Sequence, residues 1–130
     1  QKEARVSYGL DPELETLLVF GGSQGALFFN ETVPQAIKQL DRKFQILHFT
    51  GSDPRATQAQ YMQYGIKAHV KAFEEKMNLA YAAATIALCR SGASTIAELI
   101  RFQVPALLIP YPYASDGHQE KNGAFLASAK

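Results

Sequence analysis

The chain has 130 residues, 47% hydrophobic and 19% charged, which suits one globular domain with its own core and excludes a disordered chain. Its formal net charge is +1 and no basic run interleaves with aromatics, so nucleic acid is not expected as a partner. Its one cysteine, Cys89, excludes an internal disulfide and a thiolate zinc cluster, and fits a reducing cytoplasm.

The chain opens on polar QKEAR, with no signal-peptide core and no initiator Met, and closes on FLASAK inside a helical pattern. Both ends are those expected of a piece excised from a longer protein. The most apolar stretch, Leu79 to Cys89, is far short of the roughly 18–20 residues that a membrane-spanning helix needs.

Short apolar runs predict strands at Thr16–Phe20, Phe44–Thr50, Ile66–Val70, Thr85–Leu88 and Ala106–Ile109. Helical patterns lie between and after them, at about Gln24–Leu40, Arg55–Tyr64, Glu75–Ala84, Ala93–Phe102 and His118–Ala129. Pro34 is expected to kink or restart the first helix. Gly51, Gly65 and Pro105 fall at element ends. Strands that alternate with helices predict an α/β fold: a single domain with a Rossmann-like, doubly wound parallel sheet. Such sheets bind ligands at the carboxyl ends of their strands. There the chain carries GGSQG, AFEE, CRSGAS and PYPYASDGHQ.

GGSQGA lacks the lysine of a P-loop and is not G-x-G-x-x-G. Gly21 and Gly22 allow close backbone approach, Ser23 adds a hydroxyl, and the following helix start offers free N–H groups to a phosphate. The competing reading is a tight turn capped by Ser23. One helix start contributes only about 0.3–1 kcal/mol to anion binding. CRSGASTIAEL is a second small-residue loop opening a helix, and two such starts facing one crevice can hold a diphosphate. Glu98 has two readings. Thr95-x-x-Glu98 matches a capping box. If the helix instead starts near Gly92 or Ala93, Glu98 lies more than a turn in, where a carboxylate can accept two hydrogen bonds from a ribose diol.

Gln119 and Asn122 share a helix face, and amides at that spacing suit sugar hydroxyls. His118 is a base or ligand in one reading and part of a solvated helix start, with Asp116 as cap, in the other. Phe73 and Met77 either wall a base or pack in the core. His48 and His69, inside strands, read as structural, and Cys89 as a small buried residue. Arg90 either meets a phosphate or braces its loop. No nucleophile triad and no close acidic pair stands out.

Together GGSQGA (21–26), CRSGASTIAEL (89–99) and DGHQEKN (116–122), with AFEEKMNLAYAAA and VPALLIPYP between them, resemble the MurG family in order and spacing. The resemblance runs from Leu17 to about Ala127, and FEEKMNLAYAAA and PYPYASDGHQEKN are similar to a chlamydia-type variant. These bacterial transferases add N-acetylglucosamine to undecaprenyl-pyrophosphoryl-MurNAc-pentapeptide, turning lipid I into lipid II in peptidoglycan synthesis. The resemblance implies the C-terminal half of a GT-B glycosyltransferase, the half that binds UDP-GlcNAc, with the last part of that domain missing after Lys130.

It implies that Gly22, Ser23 and Gln24 meet the diphosphate. The backbone at Glu74 would read uracil beside Phe73 and Met77. Ala93, Ser94 and Thr95, with Ile96 and Ala97, would lie near the phosphates and sugar. Glu98 would hold the ribose hydroxyls, and Gln119 and Asn122 those of GlcNAc. It implies no metal, no cofactor beyond the donor substrate, and no catalytic residue in this chain. The base, the acceptor-side glycine loops and the membrane-facing patch would belong to an N-terminal acceptor domain. That domain would seat the lipid-linked acceptor, with the longer enzyme peripheral on the cytoplasmic face of the plasma membrane.

The chain departs from the family at Glu74, where an aliphatic residue is common, at His118, where an amide occurs, and at Gly123, which replaces a common Ala. The rival readings are a UDP-sugar-binding subunit or domain of another GT-B lipid glycosyltransferase, acting with a separate acceptor subunit, and a plain dinucleotide binder.

Overall fold

The computed structural model describes residues 1–40, 43–90 and 93–109, and of residues 22–28 the backbone alone. In chain order the elements are α1 (Lys2–Ser7), β1 (Thr16–Phe20), α2 (Gly22–Lys38), β2 (Gln45–Phe49), α3 (Arg55–Gln63), β3 (Ala68–Lys71), α4 (Met77–Ala83), β4 (Ile86–Arg90), α5 (Ala93–Arg101) and β5 (Ala106–Ile109). The strands form one sheet in the order β3-β2-β1-β4-β5, and every pairing is parallel.

Alternation along β1 shows why the sheet is covered twice. Successive side chains of a strand point to opposite faces. Leu18 and Phe20 pack with Leu47, Tyr81, Cys89 and Leu99, on the face that carries α1, α4 and α5. Leu17 and Val19 pack with Ile46, Phe29, Val33 and Tyr61, on the face that carries α2 and α3. Strands buried on both sides read as unbroken apolar runs, and that is how they were legible.

Helices α1, α3 and α5 end alike. Gly9, Gly65 and Gln103 take positive φ. The amides of Leu10, Ile66 and Val104 then reach back to the carbonyls of Arg5, Tyr61 and Leu99 at 2.9–3.0 Å. That pattern satisfies carbonyls that a helix end would otherwise leave unpaired. Gly51, also at positive φ, turns the chain out of β2.

The strands and helices between residues 16 and 109 lie where the apolar runs placed them, with ends shifted by a residue or two. Two points differ. Helix α2 runs through Pro34 without restarting; Pro34 is buried, so packing of its ring offsets the one helix hydrogen bond it cannot donate. Helix α1 was not expected, since QKEAR carries no apolar stripe. The last helix expected, His118–Ala129, lies outside the described residues.

Candidate functional site

Strand β1 is followed in space by β2 on one side and by β4 on the other. The chain therefore leaves β1 and β4 toward opposite faces, and a crevice opens between the two exits. Helix α2 begins at Gly22 directly after β1, and α5 begins at Ala93 just after β4. Neighbouring strands lie about 5 Å apart, so the two helix starts flank one crevice. Gly21 is the N-cap of α2 and has no side chain with which to cap the helix amides, and the first turn carries no acid. This corrects the expectation of Ser23 as cap: Ser23 is the second residue of the helix. The free amides and the positive end of the helix dipole point out of the carboxyl edge of the sheet, an arrangement suited to an anion.

Beside the crevice, across the ends of β1, β2 and β3, lies a largely apolar cavity of about 160 Å³ lined by Phe20, Phe49, Gly51, Phe73, Glu74 and Met77. Phe73 is 65% exposed, so it is no core residue, and its ring face is available for stacking. Met77 lines the cavity and also packs on the core.

The Glu74 side chain is turned inward, only 8% exposed. Its Oε2 accepts a 2.7 Å hydrogen bond from the Tyr8 hydroxyl, and its Oε1 accepts one of 3.0 Å from the Lys76 amide. Lys71 Nζ stands 3.8 Å away. Burial pushes the carboxyl's pKa up, but the Lys76 amide, the Tyr8 hydroxyl and Lys71 together outweigh it and hold the group below its ordinary value. The Tyr8 phenol is raised, first by burial and then by the carboxylate it faces.

Glu98 is the sixth residue of α5, more than one turn from the helix start. Thr95 is inside the helix and is not its N-cap, which removes the capping-box reading. The carboxylate is half-buried and faces the Tyr81 phenol. Tyr81 is itself locked, stacked on Phe102 at 5.4 Å and edge-on to Phe20 at 6.0 Å. Burial foremost, and the Glu98 charge after it, raise the phenol's pKa and keep it a donor. On the same helix Ile96 and Leu99 face the core, whereas Ala93, Ser94 and Ala97 are exposed and Thr95 is partly so.

Two contacts fix α2 against the sheet. The Arg90 guanidinium lies over the Phe29 ring at 5.0 Å, which ties β4 to α2. His48, fully buried, contacts Tyr61 Oη at 2.8 Å through Nδ1 and Asn30 Oδ1 at 2.9 Å through Nε2. Asn30 Nδ2 donates to the Thr50 carbonyl at 3.0 Å, so Oδ1 is the acceptor and His48 is the neutral Nε2–H tautomer. Burial lowers its pKa to about 4. Cys89 is buried, its thiol pushed up to about 12.

The fold thus brings the starts of α2 and α5, Phe73, Glu74, Met77 and Glu98 to one edge of the sheet. The side chains of Ser23 and Gln24, and all of His118, Gln119 and Asn122, lie outside the described residues. Sequence reasoning missed Tyr8, Tyr81, Phe20 and Phe49. Of these only Tyr81 left a trace, four residues after Met77 on one helix face.

A profile of the glycosyltransferase family 28 C-terminal domain matches residues 16–130. The chain belongs to that family. A relative from Protochlamydia amoebophila is 50% identical over 126 residues, covering 95% of this chain and 34% of the relative. One from Aquifex aeolicus is 41% identical over 126 residues, covering 94% of this chain and 35% of the relative. Both are named UDP-N-acetylglucosamine–N-acetylmuramyl-(pentapeptide) pyrophosphoryl-undecaprenol N-acetylglucosamine transferase. The crystal structure of Acinetobacter baumannii MurG is similar with a TM-score of 0.83 and 38% identity, over 90% of this chain and 36% of that one. The chain spans about a third of the length of the curated relatives it matches.

Proposed function

We propose that this chain is the donor-binding half of an inverting transferase that moves GlcNAc from UDP-GlcNAc to the lipid-linked MurNAc-pentapeptide of peptidoglycan synthesis. The observation that carries this is the meeting of two helix starts at the strand switch point with the Glu98 carboxylate and an aromatic-walled cavity. A nucleotide sugar needs those parts: cationic dipole ends for a diphosphate, an acceptor for a ribose diol and an apolar slot for a base.

In this reading the base lies against Phe73 and Met77, and its polar edge meets the backbone at Glu74. Glu98 accepts from the ribose hydroxyls. The diphosphate lies across the starts of α2, at Gly22, Ser23 and Gln24, and of α5, at Ala93, Ser94 and Thr95, with Ile96 and Ala97 contributing backbone. Gln119 and Asn122 bind the hydroxyls of GlcNAc. The C4 hydroxyl of the acceptor sugar attacks the anomeric carbon, the bond to the β-phosphate oxygen breaks, and UDP leaves. The two helix starts stabilise the charge that grows on that oxygen, with no metal required. The base that takes the hydroxyl proton belongs to an N-terminal acceptor domain. That domain also meets the lipid, and the longer enzyme sits peripherally on the cytoplasmic face of the membrane.

The test is a titration of the chain with UDP-GlcNAc, with UDP-glucose, UDP-galactose and NAD as competitors, beside an assay for lipid II. The chain binds UDP-GlcNAc in preference to the others and makes no lipid II by itself. Lipid II formed by the chain alone, or a preference for NAD, contradicts the reading.

A further inference from the structure

Helix α1 lies ahead of the stretch that matches the family 28 domain, yet it is built into the same core. Ala4 and Tyr8 belong to the larger buried cluster. Arg5, only 6% exposed, donates from Nε to the Ala83 carbonyl at 2.8 Å, from one terminal nitrogen to Thr85 Oγ1 at 2.8 Å, and from the other to the Pro12 carbonyl at 3.1 Å. With its helix anchored in this way, Tyr8 has little freedom. Its ring stands 5.3 Å from that of His69 and 6.5 Å from that of Phe49, and its hydroxyl ends on Glu74 Oε2.

The far side of that hydrogen bond is the 72–76 loop. Glu74 spends one carboxylate oxygen on Tyr8 and the other on the amide two residues ahead, at Lys76. The carboxylate is thus held from both ends beneath the loop. With that side chain turned in, the neighbouring Phe73 is turned out, and both residues line the small cavity. The Glu74 carboxylate thus has a partner from outside the matched domain.

We infer that Tyr8 is a positioning residue for the nucleoside end of the donor site: by bonding Glu74 it holds the 72–76 loop in the shape that offers the Phe73 ring and the Glu74 backbone to the base. The inference rests on the reading of the cavity as the base slot. It makes the segment ahead of the family domain part of donor recognition, so that a displacement of α1 is felt at the base.

The experiment uses the full 130-residue chain. UDP and CDP are titrated into the wild type, Tyr8→Phe, Glu74→Leu and the double variant, with amide hydrogen exchange followed for residues 73–76. Tyr8→Phe keeps the ring and removes only the hydroxyl. It weakens UDP by about five- to tenfold, since only part of the worth of a hydrogen bond to a carboxylate passes through the loop to the bound base. It also narrows the preference for UDP over CDP and speeds exchange in the loop. In the Glu74→Leu background the same change has little further effect, because the carboxylate that needed the hydroxyl is gone. The inference is overturned if Tyr8→Phe lowers the melting temperature but leaves the UDP to CDP ratio and the loop exchange unchanged, or if the two substitutions are additive. A wild type that binds UDP no better than CDP overturns the base-slot reading first and the role of Tyr8 with it.

Discussion

The Tyr81 phenol on α4 faces the Glu98 carboxylate on α5, near enough for that charge to help raise the phenol's pKa. A half-buried carboxylate on a helix face has several rotamers, and a ligand that needs one of them must bear the cost of selecting it. Tyr81 is stacked on Phe102 and braced by Phe20, so its hydroxyl is a fixed dipole beside Glu98 before any ligand arrives. This is preorganisation by a rigid aromatic. Tyr81→Phe keeps both ring contacts and loses only the hydroxyl. The expected result is a fold of nearly unchanged stability with UDP affinity about fivefold weaker, for about 1 kcal/mol. Thermal melting beside isothermal titration measures both.

His48 makes the fold sensitive to acid. Its folded pKa, near 4, lies below the ordinary 6.5, so the unfolded chain takes up the proton first as pH falls. The stability it confers is fully present above about pH 6.5 and is lost toward pH 4. His69 is also lowered, by burial and then by Lys71, and acts in the same direction. The His48 shift corresponds to about 3 kcal/mol. Urea denaturation at about pH 7 and about pH 4.5 reads this loss, and in His48→Gln the acid-dependent part shrinks by most of that amount.

Arg5 anchors α1 through acceptors 78 and 80 residues away, Ala83 and Thr85. Arg5→Met leaves the buried Ala83 carbonyl without this donor and breaks the link between α1 and the loop before β4. The expected cost is about 3 kcal/mol. A single cooperative transition in urea, shifted to lower concentration, is the expected form, since α1 shares the core of the sheet. An unchanged midpoint contradicts the assignment of α1 to the domain.

The parallel sheet was legible because buried strands betray themselves as apolar runs of four or five residues separated by helical patterns. The start of α5 was legible as one of two options, and the fold decided it: with Ala93 as the first residue, Thr95 cannot cap and Glu98 falls beyond the first turn. What was hidden depends on contacts remote in the chain. Lys2–Ser7 is too short and too polar to announce a helix. It persists because Arg5 finds partners at the end of α4 and before β4, and Tyr8 finds Glu74 at a separation of 66 residues. The inward turn of Glu74 was hidden because one of its partners, Tyr8, is remote in the chain. Ser23 looked like a cap because of its residue type, but the helix starts at Gly22, with Gly21 as its cap, two residues earlier than expected.

The donor-domain reading stands or falls most directly on Glu98. Calorimetric titration of the chain and of Glu98→Ala with UDP-GlcNAc tests it, with far-UV circular dichroism as the check on folding. The wild type is expected to bind at roughly millimolar or tighter, about −4 kcal/mol or stronger. Glu98→Ala is expected to bind about 10- to 100-fold more weakly with its fold intact, for the loss of about 1.5–3 kcal/mol of charge-assisted hydrogen bonding. Equal binding by the two proteins would contradict the account and leave Glu98 as no more than the partner of Tyr81.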